Sequence, residues 1–152
     1  MPAKRQQRTV GAIVKIPLGD GWHTYAQILP EADCVVFDAR TKKDLAVSEV
    51  VSRPVLFRVG VYRHAFTRGG WPKVGAAPLR DEFAKPVPKF MQDILQPTSF
   101  SIYLGGEIRP ASRAECVGLE RSAVWEPEHV ESRIRDHYKG VPNVWVESLK
   151  LK

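Results

Sequence analysis

The side chains best suited to chemistry are four histidines, His23, His64, His129 and His137, and two cysteines, Cys34 and Cys116. A chelated metal needs ligands that converge, and these do not. His129 and His137 stand two helical turns apart, and there is no His-x-x-x-His, His-Glu-x-x-His or paired-cysteine spacing. A nucleophile needs a neighbouring base held by a third group. No Gly-x-Ser-x-Gly elbow occurs, and Cys34 lies in the apolar run Cys34-Val35-Val36-Phe37, where inert burial is expected. Cys116 sits too far into a short helical turn to gain much from its start. Gly19-Asp20-Gly21 precedes a strand-like segment, so it reads as a hairpin turn and not as a phosphate loop. The Asp81-Glu82 pair lies in polar, proline-flanked sequence and reads as solvated. No metal, cofactor or catalytic residue is therefore expected. The chain reads as a binding protein and not as an enzyme, with a cysteine hydrolase using Cys34 or Cys116 as the weakest alternative.

Binding chemistry is better represented. Arg58, Tyr62, Arg63, His64, Phe66 and Arg68 interleave cations with aromatics, as a nucleic-acid-binding β-barrel would. A half-exposed strand whose arginine stems cover apolar surface gives the same pattern. Trp22, Trp71, Trp125 and Trp145 each adjoin a turn or an element boundary, where tryptophan serves as a core lid or as an interface anchor. The net charge of +6 points weakly to nucleic acid, because Lys4, Arg5, Arg8, Lys150 and Lys152 supply most of it from the two ends. The expected picture is a basic tail over residues 1–8 and one near-neutral globular domain over 9–152. No run of apolar residues is long enough to span a membrane, and no secretory signal is evident, so the cytoplasm is the expected compartment.

The elements that must position these residues are mostly strands. Residues 10–16 and 22–29 alternate around the Gly-Asp-Gly turn and predict an antiparallel hairpin. Residues 34–38 predict a buried third strand. Residues 55–66 predict one long strand, with Gly60 marking a bulge or bend. Residues 69–75 read as irregular. Residues 81–97 read as a surface crossing with at most a short helix over 89–95, and 99–104 as a strand. Ser112 and Glu115 have capping-box spacing. The clearest helix covers 126–138: Pro127 suits its first position, Gly140 its end, and Val130, Ile134, His137 and Tyr138 share a face. Glu131 and Arg135 have the spacing of a helical ion pair. Residues 143–151 alternate and predict a closing strand. The expected fold is α+β: a strongly bent antiparallel β-sheet or small β-barrel with one C-terminal helix packed on it.

Three stretches together resemble the immunity protein 26 family of bacterial polymorphic toxin systems. The first is Val10-Gly11-Ala12-Ile13-Val14-Lys15-Ile16-Pro17-Leu18-Gly19-Asp20-Gly21, followed by Tyr25 and Ala26. The second is Gly70-Trp71-Pro72-Lys73-Val74-Gly75. The third runs from Gly118-Leu119-Glu120 through Trp125-Glu126-Pro127-Glu128-His129-Val130-Glu131 to Tyr138-Lys139-Gly140. The resemblance implies a small cytoplasmic antitoxin that binds and blocks a cognate protein toxin, without cofactor or catalytic residues. Inhibitors of nuclease toxins are often acidic, because complementary charge speeds encounter. This basic chain then implies either a different kind of toxin or a local acidic patch, for which Glu126, Glu128 and Glu131 are candidates. The residues expected to meet the partner are Trp22, Tyr25, Arg63, Trp71, Glu126 and Glu128.

Overall fold

A computed structural model describes residues 5–152. The first hairpin forms where the turn residues demand it. Strand β1 (Ala12–Gly19) pairs with β2 (Trp22–Ile28), and Gly19 lies opposite Trp22. The two turn residues, Asp20 and Gly21, have φ of 55° and 82°, which suits the twist of a two-residue hairpin loop. Strand β3 (Asp33–Phe37) pairs with β2, and β4 (Val55–Val61) with β3, all antiparallel. Alternation then sorts the side chains between two faces. Val14, Ile16, Ala26, Ile28, Cys34, Val36 and Val59 fill one core. Ile13, Tyr25, Leu29, Val35 and Phe37 fill the other.

Short elements cover that second face. Helix α1 (Val47–Val50) contributes Val50. After α2 (His64–Thr67) and strand β5 (Lys73–Ala76), α3 (Asp81–Ala84) contributes Phe83. Strands β6 (Lys89–Gln92), β7 (Phe100–Leu104) and β8 (Glu107–Ala111) make a separate antiparallel sheet. Its core holds Phe90, Phe100, Ile102 and Cys116, the last from α4 (Arg113–Cys116). The expected capping box is present: Glu115 N–H donates to Ser112 Oγ at 3.2 Å, and Ser112 N–H donates to Glu115 Oε2 at 2.7 Å. Strand β9 (Val124–Trp125) adds to β4 in parallel, giving the order β5-β1-β2-β3-β4-β9. Helix α5 (Pro127–Lys139) then lays Val130 and Ile134 on the first core, and α6 (Val144–Leu149) follows.

The α+β class and the C-terminal helix hold, while the barrel alternative does not, because the six-stranded sheet stays open. Five local expectations are corrected. The long strand over 55–66 stops at Val61, and α2 begins at His64. Gly60 makes no bulge there; a Cβ would stand 3.3 Å from the Ala123 carbonyl oxygen, so close backbone approach explains it. The short helix over 89–95 is instead strand β6 over 89–92, held extended by its antiparallel pairing with β7. The stretch read as irregular contains β5, which pairs with β1. The closing strand is helix α6. Asn143 Oδ1 accepts from Trp145 and Val146 N–H, both at 3.1 Å, and this cap overrides the β-branched alternation.

The basic tail over 1–8 was expected to be solvated, and part of it is anchored. Gln6 donates to the Trp71 carbonyl at 2.7 Å, and Arg8 donates to the Leu29 carbonyl, also at 2.7 Å. Lys4 lies outside the described residues.

Candidate partner-binding surface

At the turn end of the β1–β2 hairpin, the chain after β3 returns alongside β2. His23 and Thr41 exchange two backbone hydrogen bonds, each of 2.9 Å. In such an extended bridge the residues on either side of Thr41 project the same way. Arg40 and Lys42 accordingly both reach the Trp22 ring, their cationic groups 3.7 and 5.1 Å from its centroid. The Arg40 guanidinium also lies 5.4 Å from the Tyr138 ring. The Tyr138 hydroxyl donates to Asp38 Oδ1 at 2.5 Å; burial, then Asp38, pushes its pKa up, so it stays a protonated donor.

A cleft of about 260 Å³ opens here, lined by Asp20, Trp22, Arg40, Arg135, Tyr138 and Lys139 among others. The last turn of α5 forms one wall, and the negative end of its dipole favours cations. Lys43 is exposed beside Lys42. None of Arg40, Lys42, Lys43, Arg135 and Lys139 has an ion-pair partner among the described residues. The expected Glu131–Arg135 pair does not close. Glu131 Oε2 instead accepts from the Trp71 indole N–H at 2.9 Å, and burial raises the Glu131 pKa despite that bond. The result is a ledge of unpaired cations held on an aromatic floor, an arrangement suited to carboxylates.

The residues expected to meet a partner fall in different places. Tyr25 and Trp71 are corrected to core: they are 1% and 0% exposed, and their polar atoms are spent internally. Trp22 is half-buried on the ledge. Arg63 is exposed at the start of α2, and His64 beside it meets Glu126 at 3.2 Å. Glu128 is exposed on the first turn of α5. Arg63, Glu126 and Glu128 thus gather near the start of α5, while Trp22 sits by its end, a helix length of about 18 Å away. The interleaved residues do not share one strand face. Arg58 Nε is locked to Asp33 Oδ2 at 2.8 Å, and Arg63 and Arg68 flank a helical turn. His137, placed on the buried face of α5, is exposed. Reading the charge as a property of the tails missed Arg40, Lys42, Lys43, Arg135 and Lys139. The run Arg40-Thr41-Lys42-Lys43 was the available signal.

Neither thiol is prepared as a nucleophile. Burial pushes Cys34 up to about 12, and burial, then Glu115, raises Cys116. Among the described residues, no three of His, Cys, Asp and Glu are grouped to hold a metal, and no helix is long and apolar enough to cross a membrane.

A model of the immunity protein 26 family matches residues 9–101. The chain belongs to that family. No curated protein and no solved structure matches it. In this immunity protein 26 member the matched segment carries β1 to β5, with Trp22, Arg40 and Lys42. Two of the three resembling stretches lie inside it; the third, over 118–140, lies beyond it. The Tyr138 side of the ledge therefore comes from outside the matched residues.

Proposed function

We propose that this protein is a cytoplasmic antitoxin whose residues 9–152 act as one folded unit, binding a cognate toxin domain and blocking it by occlusion. Membership in the immunity protein 26 family carries the reading: the match spans five of the six strands of the main sheet. Occlusion is preferred to chemical inactivation because both thiols are buried and pushed toward the protonated form. Trp22, Arg63, Glu126 and Glu128 remain the surface members of the expected contact set. The test is co-expression with the candidate toxin encoded by the neighbouring gene. Protection of the host and a complex that persists through purification at micromolar concentration are expected. Absence of both ends the reading for that pair.

A further inference from the structure

Four cations without ion-pair partners among the described residues, Arg40, Lys42, Arg135 and Lys139, stand around one aromatic pair, with Lys43 exposed beside Lys42. Arg40 is clamped between Trp22 and Tyr138, and the His23–Thr41 bridge fixes the backbone that carries Arg40 and Lys42. Holding like charges together costs stability unless a partner compensates them. Asp38 accepts from the Tyr138 hydroxyl. Asp44, beyond Lys43, pairs with Lys15 at 2.7 Å. Asp20, on the hairpin turn, is the one acid lining the cleft.

We infer that this ledge is the contact surface for an acidic patch of a protein partner, with Arg40 as its central anchor. The inference rests on the antitoxin reading and names the face and the chemistry it uses. Charge complementarity chooses the occupant: a preorganised guanidinium fork recognises carboxylates in two-point fashion, and flanking lysines steer the approach. Nucleic acid is the poorer fit. A base stacks on an open aromatic face, and the Trp22 face already carries Arg40 at 3.7 Å.

Affinity for the neighbouring toxin domain is measured with the full chain at low and high salt. Arg40→Ala is expected to weaken binding by about 30-fold or more, as loss of a central arginine anchor does. The double variant Lys42→Glu, Lys43→Glu removes only exposed side chains. It is expected to slow association about 10-fold and to flatten its salt dependence. Arg113→Glu and Lys85→Glu, exposed on α4 and just after α3, are expected to leave binding unchanged. Circular dichroism confirms that each variant is folded. Wild-type binding that survives both ledge changes overturns the inference and leaves the antitoxin reading standing. Ledge-dependent binding to single-stranded DNA or RNA, with none to the toxin, overturns both. A wild-type chain that neither binds nor protects overturns the antitoxin reading, and the inference with it.

Discussion

Positive charge gathers in two regions of this molecule, and each region treats it differently. In the interior, Asp33 holds Lys89 Nζ at 2.6 Å and Arg58 Nε at 2.8 Å, with the three side chains 6%, 11% and 13% exposed. Arg8 donates to the Asp33 carbonyl beside them. This cluster ties β3, β4 and the N-terminal segment of the main sheet to β6 of the small sheet. On the ledge, Arg40, Lys42, Arg135 and Lys139 share an aromatic floor and have no ion-pair partner among the described residues. The first region spends its charge on the fold, and the second does not. A net charge of +6 does not separate the two; pairing does.

The largest effect is expected on removing the acid of the interior cluster. Asp33→Ala strands two buried cations, so a loss of about 3–5 kcal/mol is expected. Chemical denaturation measures it. A loss below about 1 kcal/mol, the usual limit for exposed pairs, would mean that water already screens the cluster.

The contrast also marks what the sequence carried. Local rules were legible: the Asp20-Gly21 hairpin, the Ser112–Glu115 box and the boundaries of α5 each depend on a few neighbouring residues. Elements decided by distant contacts were not. Residues 143–151 alternate like a strand, but Asn143 also donates to Ser132 at 3.0 Å and Asp136 at 2.9 Å, which fixes the cap against α5. Trp71 reads as a core lid or an interface anchor because it adjoins a turn. It is buried against Phe66, at 5.7 Å between rings, and bonded to Glu131 60 positions away. The ledge was hidden for the same reason. Its halves, Arg40-Thr41-Lys42-Lys43 and the end of α5, lie almost 100 positions apart, as the Tyr138–Asp38 bond at a separation of 100 shows. Summed over the body, the acids cancel these cations arithmetically without meeting them in space.

A smaller effect is expected from Lys89→Met, which removes one cation and leaves Asp33 held by Arg58. The loss is expected to be about 1.5–3 kcal/mol, the range for a hydrogen bond to a charged group. It should concentrate on the small sheet, because Lys89 belongs to β6. Hydrogen exchange separates the outcomes. Faster exchange in β6 and β7, with β1 to β3 unchanged, places Lys89 as a strap between the sheets. Uniform acceleration makes Asp33 a feature of the global core instead.

The smallest effect on stability belongs to the ledge, and its sign matters more than its size. Lys42 and Lys43 are exposed and unpaired, so their reversal to Glu falls in the class of surface changes within about 0.5 kcal/mol. Placing acids beside Arg40, Arg135 and Lys139 relieves repulsion, so the shift is expected to be neutral or slightly stabilising. Cations that help hold the fold, such as Arg58 and Lys89, can only lose stability when reversed. A surface that becomes no less stable when its charge is inverted does not owe that charge to the fold. A thermal melt of the Lys42→Glu, Lys43→Glu variant reads this directly. A melting temperature at or above wild type, together with weakened toxin binding, places these lysines in recognition. A clear drop would mean that they contribute to folding after all, and the distinction between the two regions would fail at the ledge.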